Sequence, residues 1–210
     1  MIYLGRAKRG ATADGYYRMA KELGLKSRAA FKLKQLDDRY RLIRSGDVVV
    51  DLGAAPGGWT QIASERVGVS GLVVAVDLQP VRLPPTKNVA IIKGDVRDPS
   101  TVEMIRNRLP QKADLVMSDM SPQISGVWDV DHMRSVELSR TALSVAGELL
   151  RPGGNFIVKV FQGEFFSEFL KDVKKRFEFV KASKPAASRS GSAEIYIVAM
   201  GMRKTENANP

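Results

Sequence analysis

Apolar residues run along this chain in two alternating rhythms. Short uninterrupted runs of aliphatic and β-branched residues occupy 47–51, 72–76, 89–94, 113–118 and 155–161. Such runs predict strands covered on both faces, as in a parallel sheet. Between them, apolar residues return at helical spacing over 58–67, 99–108, 131–150 and 164–176. Val136, Leu143, Ala146 and Leu150 form the inward stripe of the third such helix. Phe165, Phe169, Val173 and Phe177 form that of the fourth. Alternating strands and helices predict a doubly wound α/β sheet with right-handed crossovers. Two more strands, near 178–184 and 193–201, follow with no helix between them. The last strand is therefore expected to insert antiparallel, with 185–192 as a loop.

Upstream of the first strand the pattern is helical. Residues 12–22 read as a short helix preceded by a basic arm. Ser27 is placed to cap a second helix over 28–41. Ala29, Leu33, Leu36 and Tyr40 make its inward stripe. Lys32 lies at the edge of that stripe, where a lysine either snorkels to water or points into a site. A single domain is expected over 1–204, with a basic N-terminal helical extension over about 1–44 and a polar tail at 205–210.

Composition narrows the chemistry. There is no cysteine and only one histidine, His132, which removes thiolate chemistry and makes a histidine-based metal site or a Ser-His-Asp triad hard to build. No metal is expected. No apolar run approaches the roughly 18 residues of a membrane span and no signal-peptide core is present, so a cytoplasmic protein without membrane attachment is expected. The net charge is +10 and unevenly spread. Residues 1–44 carry 12 Lys/Arg against 4 Asp/Glu, and residues 171–189 carry 7 against 2. Positive charge concentrated in this way suits a polyanion, most often nucleic acid.

The candidate site begins at Asp51-Leu-Gly-Ala-Ala-Pro-Gly-Gly-Trp59, an apolar strand ending in an acid, then a turn of small residues, then a helix start. Glycines let such a turn approach a ligand, and the helix start offers unpaired N–H groups. Asp51, Asp77, Asp95 and Asp119 end four successive strands, at the rim where open α/β sheets bind ligands. Asp77 lies 20 residues after Gly57, about the spacing at which an acid reaches ribose hydroxyls. The turn is not G-x-G-x-x-G, and no Gly-Lys-Ser/Thr occurs, so the pattern fits a ribose-bearing ligand without a phosphate better than a dinucleotide. S-adenosylmethionine (SAM) is such a ligand.

Five segments together resemble one family: Ser27-Arg-Ala-Ala-Phe-Lys-Leu33, Asp51 to Trp59, Ser118-Asp-Met-Ser-Pro122, Val158-Lys-Val-Phe-Gln-Gly163 and Ser192-Ala-Glu-Ile-Tyr196. It is the FtsJ/RrmJ family of SAM-dependent ribose 2′-O-methyltransferases, and the resemblance runs from about residue 12 to 202. It implies a Rossmann-like methyltransferase fold and SAM as cofactor. It also implies a Lys-Asp-Lys-Glu tetrad at Lys32, Asp119, Lys159 and Glu194, and cofactor residues Gly57, Trp59, Asp77, Asp95 and Asp119. By resemblance Asp77 would hold the SAM ribose and Asp95 the adenine amino group. Lys159 would act as base, Asp119 and Glu194 as orienting groups, and Lys32 as a cation positioning the substrate. Trp59 either packs behind the turn or touches the cofactor. Trp128 and His132 fall near the rim, where they either stack on a base or simply pack. The match is nearest the branch that methylates a uridine ribose in large-subunit ribosomal RNA, so the RNA or the large subunit is the expected partner and a monomer the expected state. Ser121 stands where the family more often has alanine. A tRNA ribose methyltransferase, a non-catalytic RNA-binding protein on the SAM fold, and a small-molecule or protein methyltransferase are the alternatives. The intact tetrad disfavours the second, and the two basic segments disfavour the third.

Overall fold

The computed structural model describes residues 13–204. The expected basic arm and the polar tail at 205–210 lie outside the described residues. Helices α1 (Ala13–Glu22) and α2 (Ala29–Tyr40) precede an alternating series. It runs β1 (Val48–Leu52), α3 (Gly58–Val67), β2 (Leu72–Asp77), β3 (Val89–Lys93), α4 (Pro99–Arg106), β4 (Ala113–Ser118), α5 (Trp128–Leu149), β5 (Leu150–Phe161), α6 (Phe166–Arg176), β6 (Phe177–Ser183) and β7 (Glu194–Met202). The strands form one sheet in the order β3-β2-β1-β4-β5-β7-β6. β3 through β5 are parallel, and β7 enters antiparallel between β5 and β6. This is the doubly wound Rossmann-like arrangement, with its order reversing between β1 and β4.

The runs that predicted strands owe their character to burial on both sides. All five residues of β1 are buried. One face of the sheet packs Val50, Val116, Val158 and Ile197 against α4, α5 and α6. The other packs Val49, Leu115, Ile157 and Val198 against α1, α2 and α3. Adjacent residues of one inner strand thus face opposite cores, so its positions are apolar except toward the cleft ends, whereas the edge strands β3 and β6 carry exposed positions.

Several expectations need correction. Ser27 does not cap α2: Arg28 holds the cap position without a side-chain bond, and the Ser27 hydroxyl is buried against Gly58. A close α2–α3 approach, rather than capping, uses the small residue there. Helix α5 starts three residues earlier than expected, at Trp128, with Asp129 and Asp131 in its first turn. Strand β5 starts at Leu150, five residues before the expected 155, and takes in Arg151-Pro-Gly-Gly154 across a register irregularity opposite β4. Phe165 leaves the core stripe of α6: Phe169, Val173 and Phe177 are buried, whereas Phe165 is 37% exposed at the helix start.

Candidate active site

The C-terminal ends of β1, β2 and β4, with the loops after them, enclose a cleft of about 660 Å³. Its lining includes Gly53, Ala55, Asp77, Asp95, Asp119 and Met120. That volume suits a nucleoside-sized ligand. Gly53 is required by crowding as well as by conformation. It has φ +76°, and a Cβ there would sit 2.6 Å from the Met120 side chain and 2.9 Å from its backbone. The loops after β1 and β4 therefore touch at this glycine, which sets the floor of the cleft.

The acids at the rim have different surroundings. The Asp77 carboxylate is held by two backbone donors, Ala55 N–H at 2.9 Å and Gln79 N–H at 2.7 Å. Each oxygen keeps lone-pair capacity toward the cleft. Asp95 is engaged by Arg97, whose Nη2 lies 2.5 Å from Oδ2 and whose Nε donates to both oxygens at 3.0 Å. This guanidinium holds the Asp95 carboxyl below the usual carboxylate range. Asp51 does not reach the rim. It is fully buried, with Oδ2 accepting from the Thr60 hydroxyl at 2.6 Å. Burial, against the Thr60 hydrogen bond and reinforced by Asp119 and Asp77, pushes its carboxyl up to about 7.

Two expected cofactor positions are not in the lining of this cleft. Gly57, with φ +122°, is not among the residues lining this cleft, and a Cβ there would meet the Leu83 side chain at 2.9 Å. Trp59 is only 2% exposed, and its indole N–H donates to the Ala29 carbonyl at 2.9 Å. A satisfied indole in an apolar layer packs behind the turn, tying α3 to the first residue of α2. Of the two readings for Trp59, packing is the one its position supports.

The four tetrad positions, drawn from α2, the end of β4, β5 and β7, come together in one polar cluster. Strand alternation places Lys159 opposite the apolar Val158 and Val160, and its register partner on β7 is Tyr196. Lys159 Nζ donates to the Asp119 carbonyl oxygen at 2.7 Å and lies 3.2 Å from Asp119 Oδ1. Tyr196 Oη donates to the same Oδ1 at 2.7 Å and accepts from Lys32 Nζ at 3.2 Å. Lys32 in turn forms an ion pair with Glu194. Both lysines are buried, at 4% and 7% exposure, so Lys32 does not snorkel to water. Burial raises the Glu194 carboxyl, but the Lys32 ammonium, with the Ser188 hydroxyl and Lys159, more than offsets this and holds it below the usual glutamate value. Burial first, then the Asp119 and Glu194 carboxylates, raise the Tyr196 hydroxyl well above its ordinary range, so it remains a donor.

Asp119 belongs to both parts: it lines the cleft and accepts from the cluster. The arrangement can thus hold a nucleoside-like ligand on one side of Asp119 and a second, proton-yielding group by Lys159 on the other. Tyr196, Gly53 and Met120 were not singled out as functional positions from the sequence. Period-2 alternation from Glu194 would have put Tyr196 on the cluster's face.

An FtsJ-like methyltransferase family model matches residues 25–202. The ribosomal RNA large subunit methyltransferase E of Methanothrix thermoacetophila is 53% identical over 185 residues, covering 88% of this chain and 71% of that protein. The protein of the same name from Archaeoglobus fulgidus is 50% identical over 191 residues, covering 91% and 97%. Among solved structures, a Plasmodium falciparum chain described as a ribosomal RNA methyltransferase superposes with a TM-score of 0.75 at 26% identity, covering 84% of this chain and 98% of that one. The chain is a Rossmann-like methyltransferase. It belongs to the FtsJ-like methyltransferase family.

Proposed function

We propose that this protein transfers a methyl group from SAM to a ribose 2′-hydroxyl of large-subunit ribosomal RNA, with a uridine as the target nucleotide. The observation that carries the proposal is the cluster of Lys32, Asp119, Lys159, Glu194 and Tyr196, joined through Asp119 to a nucleoside-sized cleft. The cleft residues suit SAM: Asp77 offers a fixed carboxylate to a ribose diol, and the turn after β1, whose Gly53 and Ala55 line the cleft, would pass beside the methionine portion. Asp95 offers a carboxylate to an adenine amino group while keeping Arg97. When bound, SAM supplies the methyl group on a positively charged sulfur.

A ribose hydroxyl is a poor nucleophile, so proton removal and alignment are the protein's tasks. Lys159 Nζ, in its neutral form, accepts the 2′-hydroxyl proton. The Asp119 carbonyl and carboxylate take its own N–H bonds and aim the remaining lone pair. Lys32, paired with Glu194, steers the substrate. Tyr196 holds the Asp119 carboxylate in position. We also place the protein in the cytoplasm, where a ribosomal substrate would be met. The test is transfer of labelled methyl from SAM with large ribosomal subunits, free ribosomal RNA and tRNA offered in parallel. Label on large-subunit RNA supports the proposal. Label confined to tRNA keeps the chemistry and refutes the substrate. No label on any RNA, with SAM bound, refutes the activity.

A further inference from the structure

Among the described residues, six of the thirteen exposed large apolar side chains share one rim, and the other seven are scattered over the surface. Ile124, Val127, Trp128, Val130, Met133 and Phe165 are each at least 37% exposed, and all lie on the loop after β4, the start of α5 or the residue before α6. Within this rim the aromatic rings are ordered. Trp128 lies nearly parallel to His132, with centroids 5.8 Å apart at 15°, and to Phe161, 6.2 Å apart at 11°. His132 lies parallel to Phe165 at 5.8 Å and 9°. These are offset-stacked geometries. His132 is 3% exposed and fixed by the Phe165 N–H donating to its Nε2 at 3.1 Å, and its Nδ1 is buried without a hydrogen-bond partner. Trp128, by contrast, keeps 48% of its surface open.

The platform is preorganised. Asp131, buried in the first turn of α5, accepts from the Ser125 N–H and hydroxyl, both at 2.8 Å, and from the Gly126 N–H at 3.1 Å. The loop leading into Trp128 is thereby held. The platform also adjoins the reacting groups. Phe161 follows Lys159 by two residues on the same face of β5, about 7 Å along the strand, and its register partner is Glu194.

We propose that Trp128, backed by Phe161 and His132, is a stacking platform for a nucleobase of the unpaired RNA segment that carries the target ribose. The proposal rests on the RNA substrate class argued above. A half-open indole over parallel rings is a stack that lacks its next layer, and RNA proteins read unpaired bases by stacking on such rings. The chain's +10 charge supplies the complementary attraction for the phosphates. Stacking on Trp128 selects an unpaired target segment and leaves base identity to other contacts.

The test needs no methyl transfer. Binding of a single-stranded oligouridylate is compared with binding of an abasic ribose-phosphate chain of equal length and charge, to wild type, Trp128→Phe and Trp128→Ala. Wild type should prefer the base-bearing chain by roughly tenfold. Trp128→Phe should keep most of that preference, and Trp128→Ala should lose it, while its salt-dependent affinity for the abasic chain is unchanged. Binding should also quench the wild-type tryptophan emission, because Trp59, the second of two tryptophans, is buried. Equal affinity of wild type for the two chains, or an undiminished preference in a folded Trp128→Ala protein, overturns the proposal and leaves the rim as a protein-docking surface. A base preference that depends on Trp128 in a protein that methylates no RNA would uphold the platform and refute the enzymatic reading instead.

Discussion

Replacing Tyr196 by phenylalanine removes one oxygen from the middle of the polar cluster. The ring remains, so its packing against Trp59, 5.6 Å between centroids, is retained and only a hydroxyl-sized space opens. Two interactions are lost: the bond donated to Asp119 Oδ1 at 2.7 Å and the bond accepted from Lys32 at 3.2 Å. Hydrogen bonds to charged groups contribute about 1.5–3 kcal/mol each, and the second of these is long, so a loss of about 2–3 kcal/mol is expected. For a chain of this length that lowers Tm by about 5–10 °C. Catalysis should respond through Asp119, whose freed carboxylate no longer fixes Lys159 Nζ, 3.2 Å away. Misalignment costing about 1.4 kcal/mol in the transition state is tenfold in rate, so kcat should fall about tenfold or more. KM for SAM should change little, because the cofactor side of Asp119 is untouched. The assay is steady-state methyl transfer beside thermal melting followed by circular dichroism. Unchanged kcat and Tm would refute the idea that this hydroxyl orders the cluster. Unchanged kcat with a large rise in KM for SAM would move Tyr196 to the cofactor side.

Lys159→Ala should lower transfer by about a hundredfold or more with SAM binding retained. Lys159→Arg should be as inactive, because a guanidinium keeps the charge but cannot accept a proton; substantial activity in the arginine variant would make charge, not basicity, the contribution of Lys159. Gly53→Ala should cost about 3 kcal/mol, from the clash with Met120 and the left-handed φ of +76°, and should weaken SAM binding measured by calorimetry. Asp51 titrates near 7 when folded, against 3.8 for an ordinary aspartate, so between about pH 4 and 7 the unfolded chain is ionised there and the native chain is not. Its contribution to stability is therefore full below pH 4 and falls as pH rises toward 7, by about 4 kcal/mol in all. In melts without SAM, the stability of Asp51→Asn relative to wild type should rise across that window, and a constant difference would refute the assignment.

Most of the fold was legible because parallel strands buried on both faces cannot hide their composition. Runs such as Val48–Val50 and Leu72–Val76 have no polar alternation to blur them. The antiparallel entry of β7 was legible from the missing helix between the last two strands. Asp119 was legible as a strand-end acid, and Lys32 as a lysine at the edge of the α2 stripe, but their grouping with Lys159 and Glu194 was legible only through the family resemblance, since no periodicity brings α2 to β7. What the sequence hid was local and depended on close contacts. Ser27 reads as a cap but is pressed against Gly58. Phe165 reads as core at helical spacing but falls one residue before α6, where the chain has not yet turned inward. Trp59 read equally as packing or as cofactor contact, and its bond to the Ala29 carbonyl favours packing, which spacing alone could not decide. Asp95 was placed on the rim correctly, but its engagement by Arg97, two residues away, depends on loop geometry that spacing alone does not fix.

The most direct test of the proposed chemistry is the chemical position of the transferred methyl. Large-subunit RNA labelled by the wild-type protein would be hydrolysed with alkali, which cleaves next to every free 2′-hydroxyl and leaves a 2′-O-methylated position joined to its neighbour. The expected result is label in a single alkali-resistant dinucleotide beginning with uridine, absent when Lys159→Ala replaces the wild-type protein. Label released in mononucleotides would mean that a base had been methylated, and would contradict the assignment of Lys159 as the acceptor of a ribose proton.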